Sequence, residues 1–295
     1  MELCDKENYK CKITLFTPTY NRGYILQNLY HSLQRQTSKE FEWLIIDDGS
    51  IDDTESIVQG WINKESEFLI RYYKQTNKGK CSAINNALDK ASGRLFFTVD
   101  SDDYLTDDAV EKIIKWEEEL PKNEKYCGLA GNLGTATNKT GNKLFKNVYF
   151  DGTAFDRYKE VNGERAMIFY TNIHRKYKYP VYDNEKFMTE AVVWNRMAND
   201  GYKIRYFNDI IWIYEYLDDG LTLKGHQLFI DNPKGYGLWL KEKCYFIEKG
   251  IYNHFKMYYS YYCDLINNYK PLEIKKYIKM PLLYFILCFI LKKIF

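Results

Sequence analysis

Leu95-Phe96-Phe97-Thr98-Val99-Asp100-Ser101-Asp102-Asp103 changes character at a single residue. A short run rich in β-formers ends, and three carboxylates follow within four positions. Such a run, continuous rather than alternating, reads as a strand covered on both faces. Its neighbours supply the cover. Upstream, Cys81 to Ala91 has Ile84, Ala87, Leu88 and Ala91 in helical phase, with Gly93 as the expected stop. Downstream, Asp107 opens a helix that turns Val110, Ile113 and Ile114 inward. The same rhythm runs back to the beginning of the chain. Ile13 to Thr17 is a β-rich run closed by Pro18, and Tyr24 to Gln36 has apolar residues at 25, 26, 29, 30 and 33. Phe41 to Ile46 is the second strand. Asp52 or Asp53 can cap the helix bearing Ile57, Val58, Trp61 and Ile62. Ile70 to Lys74 and Cys127 to Ala130 complete the series. Strands separated by such helices imply right-handed βαβ units. The expected fold is α/β: a Rossmann-like, mostly parallel sheet flanked by helices, with a helical C-terminal region.

The alternation ends near Asn132, which sets the expected organisation: 1–132, 133–226, 227–279 and 280–295. Short strands and helices mix over 150–225. The segment 227–279 reads as helical and Tyr-rich, broken by Pro233, Gly250 and Pro271. Most of the 28 Tyr lie in the second half, and runs such as Tyr258-Tyr259 and Tyr261-Tyr262 read as core or interface. At the end, Lys275, Lys276 and Lys279 precede the uncharged stretch Met280 to Leu291, and Lys292-Lys293 follow. As a helix that stretch is roughly 18 Å long, against about 30 Å of hydrocarbon. It is too short to span, and the flanking lysines suit an anchor lying on an anionic membrane surface. A buried terminal helix is the other reading.

Composition excludes several classes. With 45% apolar and 28% charged residues among 295, the chain is globular. A net charge of +2 gives no reason to expect a nucleic-acid partner. Seven Cys, with no CxxC pair, argue against a disulfide framework or zinc site and suit a reducing cytosol. The polar start shows no secretory signal, so Asn138-Lys139-Thr140 is read as a chance sequon.

Open parallel sheets bind ligands at the carboxyl ends of their strands. Three polar segments fall there: Thr17-Pro18-Thr19-Tyr20-Asn21-Arg22, Asp47-Asp48-Gly49-Ser50 and Asp100-Ser101-Asp102-Asp103. Crowded carboxylates repel unless a cation joins them. Mg²⁺ or Mn²⁺ takes one or two carboxylates plus phosphate oxygens. Residues two apart in an extended segment face the same way, so Asp100 and Asp102 can share one ligand. No glycine-rich phosphate loop is present, which leaves neutralisation of a diphosphate to the metal.

These segments, with Asn77-Lys78-Gly79-Lys80 and Asn85, resemble in order and spacing the family-2 glycosyltransferases of GT-A fold, across roughly residues 12–132. The resemblance implies inverting transfer of a sugar from a nucleoside diphosphate donor, usually UDP-linked, to an acceptor hydroxyl. Residues 1–132 would be the nucleotide-sugar half and 133–226 the acceptor half. Thr19 and Tyr20 would line the base pocket, and Asp48 the uracil edge. Asp100 would meet the ribose and metal, and Asp102 and Asp103 the metal and diphosphate. Lys80 would lie near the donor phosphates or sugar, with Thr17, Arg22 and Ser101 completing the donor side. The cofactor would be Mn²⁺ or Mg²⁺, with His226, after Asp218-Asp219-Gly220-Leu221-Thr222, as a further ligand from a loop able to close over the donor.

The resemblance also implies a carboxylate base at a helix start on the acceptor side. Phe187-Met188-Thr189-Glu190-Ala191 matches, which makes Glu190 the expected base, with Glu185 and Asp183 as alternatives. His174 and Arg175 read as solvated surface or acceptor contacts, and His31 as structural. Gly163-Glu164-Arg165-Ala166 to Thr222 resembles more loosely the bacterial surface-polysaccharide transferases. With the terminal lysines, this points to a glycan or lipid-linked oligosaccharide acceptor at the cytoplasmic face of a membrane. Two rivals stay open. One is a sugar-phosphate nucleotidyltransferase, although Pro18 to Arg22 has no Gly. The other is a non-catalytic nucleotide-sugar-binding scaffold.

Overall fold

The computed structural model describes residues 9–64, 66–137, 139–214 and 221–294. The expected alternation is present as β1 (Cys11–Thr19), α1 (Gly23–Gln34), β2 (Phe41–Asp47), α2 (Thr54–Ile62), β3 (Leu69–Lys74), α3 (Lys80–Lys90) and β4 (Gly93–Thr98). Next come β5 (Tyr104–Leu105), α4 (Ala109–Glu118), β6 (Tyr126–Gly134), β7 (Tyr149–Gly152), β8 (Arg165–Tyr170), α5 (Thr171–His174), α6 (Ala191–Asn199) and β9 (Lys203–Ile213).

All these strands join one sheet, ordered β3-β2-β1-β4-β8-β6-β9-β5, with β7 on β9. β1 pairs in parallel with β2 and β4, β2 with β3, and β6 with β9. β8 runs antiparallel between β4 and β6. β6 therefore keeps the direction of β4 without pairing with it. The sheet is mostly parallel as expected, and only β5, β7 and β8 run against it. β6 also straddles the expected break at 132, so both halves share one sheet.

Two-faced burial follows from strand alternation. Ile13 and Leu15 of β1, Trp43 and Ile45 of β2, and Leu95 and Phe97 of β4 enter one core layer. Phe16, Leu44, Ile46 and Phe96 enter the opposite layer, against α3 and α6. Gly93 corrects an expectation. It does not stop α3, which ends at Lys90; it opens β4. A Cβ there would stand 2.2 Å from the Thr14 backbone nitrogen, so the close β1–β4 approach requires glycine.

The C-terminal region contains α7 (Gln227–Ile230), α8 (Pro233–Lys243), a π-helical turn (Cys244–Glu248), α9 (Ile251–Leu265), α10 (Pro271–Tyr277) and α11 (Leu282–Ile294). Tyr236, Tyr258, Tyr261 and Tyr262 form its core with Leu265, Ile274 and Ile278. Two of the hydroxyls explain tyrosine over phenylalanine: Tyr261 donates to the Pro233 carbonyl and Tyr236 to Asp264. α11 is two-sided. Cys288 is buried, and Tyr284 stacks on Tyr258 of α9. Leu282, Leu283, Ile286, Leu287, Ile290 and Ile294 face outward. Among the described residues, no helix is long and apolar enough to cross a membrane. Six cysteines are free there.

Candidate active site

The ends of β1, β2 and β3 are knitted together mainly by backbone groups. The Asp48 amide donates to the Thr19 carbonyl, and the Asn21 amide to Ser50 Oγ. Asn21, in the left-handed region at φ 53°, returns its Oδ1 to the Ile51 amide. Asp52 Oδ2 accepts from the Gly23 amide, while its Oδ1 accepts from the Thr54 amide and hydroxyl. The next loop is tied in by Asp48. Oδ1 accepts from Gln75 Nε2 and the Lys78 amide, and Oδ2 from the Gly79 amide. Asp48 is 6% exposed, so the residue expected at the uracil edge also organises the 75–79 loop. Asp47 is likewise enclosed, accepting from the Ser50 amide and the Tyr72 hydroxyl. On this rim Tyr20 is 47% exposed. Thr19 Oγ1 is buried with no hydrogen-bond partner.

The acidic turn after β4 is held differently, by side chains. Lys80 Nζ lies 2.7 Å from Asp100 Oδ1. Arg22 Nη2 lies 3.9 Å from Asp102 Oδ2. Trp212 Nε1, on β9, donates to Asp103 Oδ2 at 2.8 Å. Ser101 is buried. Burial first, then the charge of Asp100, holds the Asp102 carboxyl above the usual carboxylate range.

Lys80 also reaches the other half of the molecule, where its Nζ is 2.9 Å from Glu190 Oε1 at the start of α6. Burial would lower the Lys80 ammonium. The charges of Asp100 and Glu190 and the hydrogen bonds to both override that and hold it well above the ordinary lysine value. Backbone packing fixes the approach. Gly79, at φ 85°, takes a position where a Cβ would lie 1.8 Å from the Lys186 carbonyl oxygen. Cys81 Sγ donates to the Met188 carbonyl.

Four residues have surroundings other than those expected. Thr17 Oγ1 accepts from Trp43 Nε1 inside the core layer, so Thr17 is not a free donor contact. Glu185, an alternative base, accepts from the Lys234 and Gly235 amides and caps α8. Asn232 answers it, accepting from the Lys186 and Phe187 amides. His174 is neither solvated nor at an acceptor. It is buried among Phe96, Phe169 and Tyr179 with both ring nitrogens unpartnered, and burial lowers its pKa to about 3. Its position opposite β4 depends on antiparallel β8, which the sequence rhythm does not show. His226, expected at the metal, lies 3.4 Å from Asp264 and packs on Tyr236 in the C-terminal cluster. Residues 215–220, which carry most of the loop expected to close over the donor, lie outside the described residues, as does Asn138. The Glu185 cap and the Trp212–Asp103 bond went unread, since neither carries a local sequence signal.

The family model for Glycosyl transferase family 2 matches residues 14–184, more than half the chain. A Campylobacter jejuni protein, GalNAc(5)-diNAcBac-PP-undecaprenol beta-1,3-glucosyltransferase, is 29% identical over 284 residues, covering 88% of this chain and 85% of its own. Among solved structures, S. aureus TarS 1–349 in complex with UDP-GlcNAc superposes with a TM-score of 0.62 at 17% identity, over 86% of this chain and 81% of that one. The mannosyltransferase PcManGT from Pyrobaculum calidifontis, in complex with GDP-Man and Mn²⁺, gives a TM-score of 0.57 at 16% identity, over 98% and 90%.

Proposed function

This chain belongs to glycosyl transferase family 2, an inverting glycosyltransferase family, and we propose that it moves a sugar from a nucleoside diphosphate donor, UDP-linked, to an acceptor hydroxyl in bacterial surface-glycan assembly. One observation carries this reading. A donor-side carboxylate, Asp100, and an acceptor-side carboxylate, Glu190, converge on the same ammonium. The convergence of a residue from each half of the chain on one ammonium supports a site shared between donor and acceptor.

In this reading the exposed Tyr20 ring and the unpartnered Thr19 hydroxyl receive the base. Asp48 shapes the rim beside them. Asp100 and Asp102 fit a divalent cation, because burial, and then the charge of Asp100, already disfavours charge on Asp102. Among the described residues, no cluster of three His, Cys, Asp or Glu ligands forms. The protein would supply two carboxylates, and diphosphate and water the remaining ligands. Bound there, Mn²⁺ or Mg²⁺ would neutralise charge on the diphosphate. Asp103, the third carboxylate expected at the metal and diphosphate, accepts from Trp212 Nε1, which steadies the turn. Lys80 stabilises the leaving group. Glu190 takes the acceptor proton as the hydroxyl attacks the anomeric carbon from the opposite face. His226, beside Asp264, receives no metal role.

The experiment is a donor panel of UDP-, GDP- and dTDP-sugars with Mn²⁺, reading released nucleotide. Glu190→Gln is expected to cut transfer about 1,000-fold while nucleotide still binds. Full activity in that variant removes Glu190 as the base. Binding without turnover across the whole panel favours a scaffold.

For acceptor and location, the reading is a lipid-linked oligosaccharide met at the cytoplasmic face of a membrane, through 275–295. The outward aliphatic side of α11 with Lys275, Lys276, Lys279, Lys292 and Lys293 supports it. Ile286→Asp with Ile290→Asp leaves the docked side of α11 intact. The pair is expected to abolish sedimentation with phosphatidylglycerol vesicles, and a native chain that never sediments with them refutes the anchor.

A further inference from the structure

We propose that Lys80 is a switch between the two substrates: the ammonium that bridges Asp100 and Glu190 passes to the donor diphosphate on binding, which frees Glu190 for the acceptor. This rests on reading Glu190 as the base and the Asp100 turn as the donor site.

The backbone of Lys80 is held, and its side chain is long enough for the tip to meet carboxylates of both halves. Gly79 packs on the Lys186 carbonyl, and Cys81 is bonded to Met188, so the first turn of α3 is held against the 186–190 segment. From that anchor a long, flexible stem carries an ammonium with three donors. It stands 2.7 Å from Asp100 and 2.9 Å from Glu190, and its side chain is 32% exposed. The two carboxylates are also open to solvent, at 36% and 24%. Solvent reaches all three groups, so a more highly charged anion can compete for the ammonium. A diphosphate beside Asp100 offers the ammonium a denser negative charge. While Nζ stays on Glu190, it occupies one of the two oxygens available to the acceptor hydroxyl. The switch therefore orders the reaction, with donor first and base second, and protects the donor from premature attack by water.

The test reads affinity rather than activity. UDP binding is measured by calorimetry in Mn²⁺ buffer for the wild type, Glu190→Gln, Lys80→Gln and the double variant. Removing the Glu190 charge releases Lys80 toward the diphosphate, so Glu190→Gln is expected to bind UDP about fivefold tighter, about 1 kcal/mol. In the Lys80→Gln background the gain should vanish. In Lys80→Arg, which retains a cation and guards against misfolding of Lys80→Gln, it should persist. Unchanged or weaker UDP binding by Glu190→Gln overturns the switch. So does a fivefold gain that survives in Lys80→Gln, which would be a plain field effect of the lost charge. The base assignment fails separately, through transfer activity that survives Glu190→Gln.

Discussion

At the end of β2, Asp47 and Asp48 accept hydrogen bonds from backbone amides of their own and the following loop, and both are buried. At the end of β4, Asp100 and Asp102 face side-chain cations instead, from Lys80 and Arg22. The residue type is the same and the partners differ. A carboxylate bound by amides is part of the scaffold, because those amides have no other acceptor. A carboxylate bound by a flexible cation can change partner, and at Asp102 burial, then the charge of Asp100, disfavours the ionised form. The first rim builds a cradle, and the second is held by side chains that can exchange partners.

Substitution at each rim separates these roles. Asp102→Asn is expected to lower transfer about 100-fold or more. Its melting temperature should stay level or rise, because a buried charge that Asp100 also repels is removed. Asp48→Asn reverses the pattern, since an amide group cannot accept from the Lys78 and Gly79 amides on both sides. A loss of about 2 kcal/mol in denaturant unfolding is expected. If Asp102→Asn proves as destabilising as Asp48→Asn, the distinction between the rims collapses.

His174 supplies a third case, a buried polar group with no partner at all. Its folded pKa, about 3, lies below the roughly 6.5 of an unfolded histidine. The unfolded chain therefore binds the proton first, and stability falls as pH drops below about 6.5. Between pH 8 and pH 5 the loss from this residue should be about 2 kcal/mol. His174→Leu should flatten that slope in urea titrations at the two pH values. An unchanged slope would show that other groups set the acid sensitivity.

Much of the donor half was legible along the chain. Buried strands such as Leu95 to Val99 and amphipathic helices such as α1 announce themselves by local period, and the acidic turn marks a strand end. The Tyr runs were legible as core, though not which hydroxyl meets which carbonyl. Thr17 and Thr19 illustrate the limit. They sit two apart on β1, yet Thr17 is taken by Trp43 while Thr19 Oγ1 is left without a partner. Glu185 and Glu190 illustrate it again. Both precede α6, yet one caps α8, some fifty residues later, and the other pairs with Lys80.

From its sequence alone this chain declared an α/β sheet, a crowded acidic strand end and a Tyr-rich helical C-terminus. Periodicity and composition are properties of neighbouring residues, so they can be read in order. The tertiary structure decided that β8 would enter antiparallel between β4 and β6, and that Lys80 would join Asp100 to Glu190. Those outcomes depend on which distant segments the sheet brings within hydrogen-bond reach, and no local pattern encodes that distance.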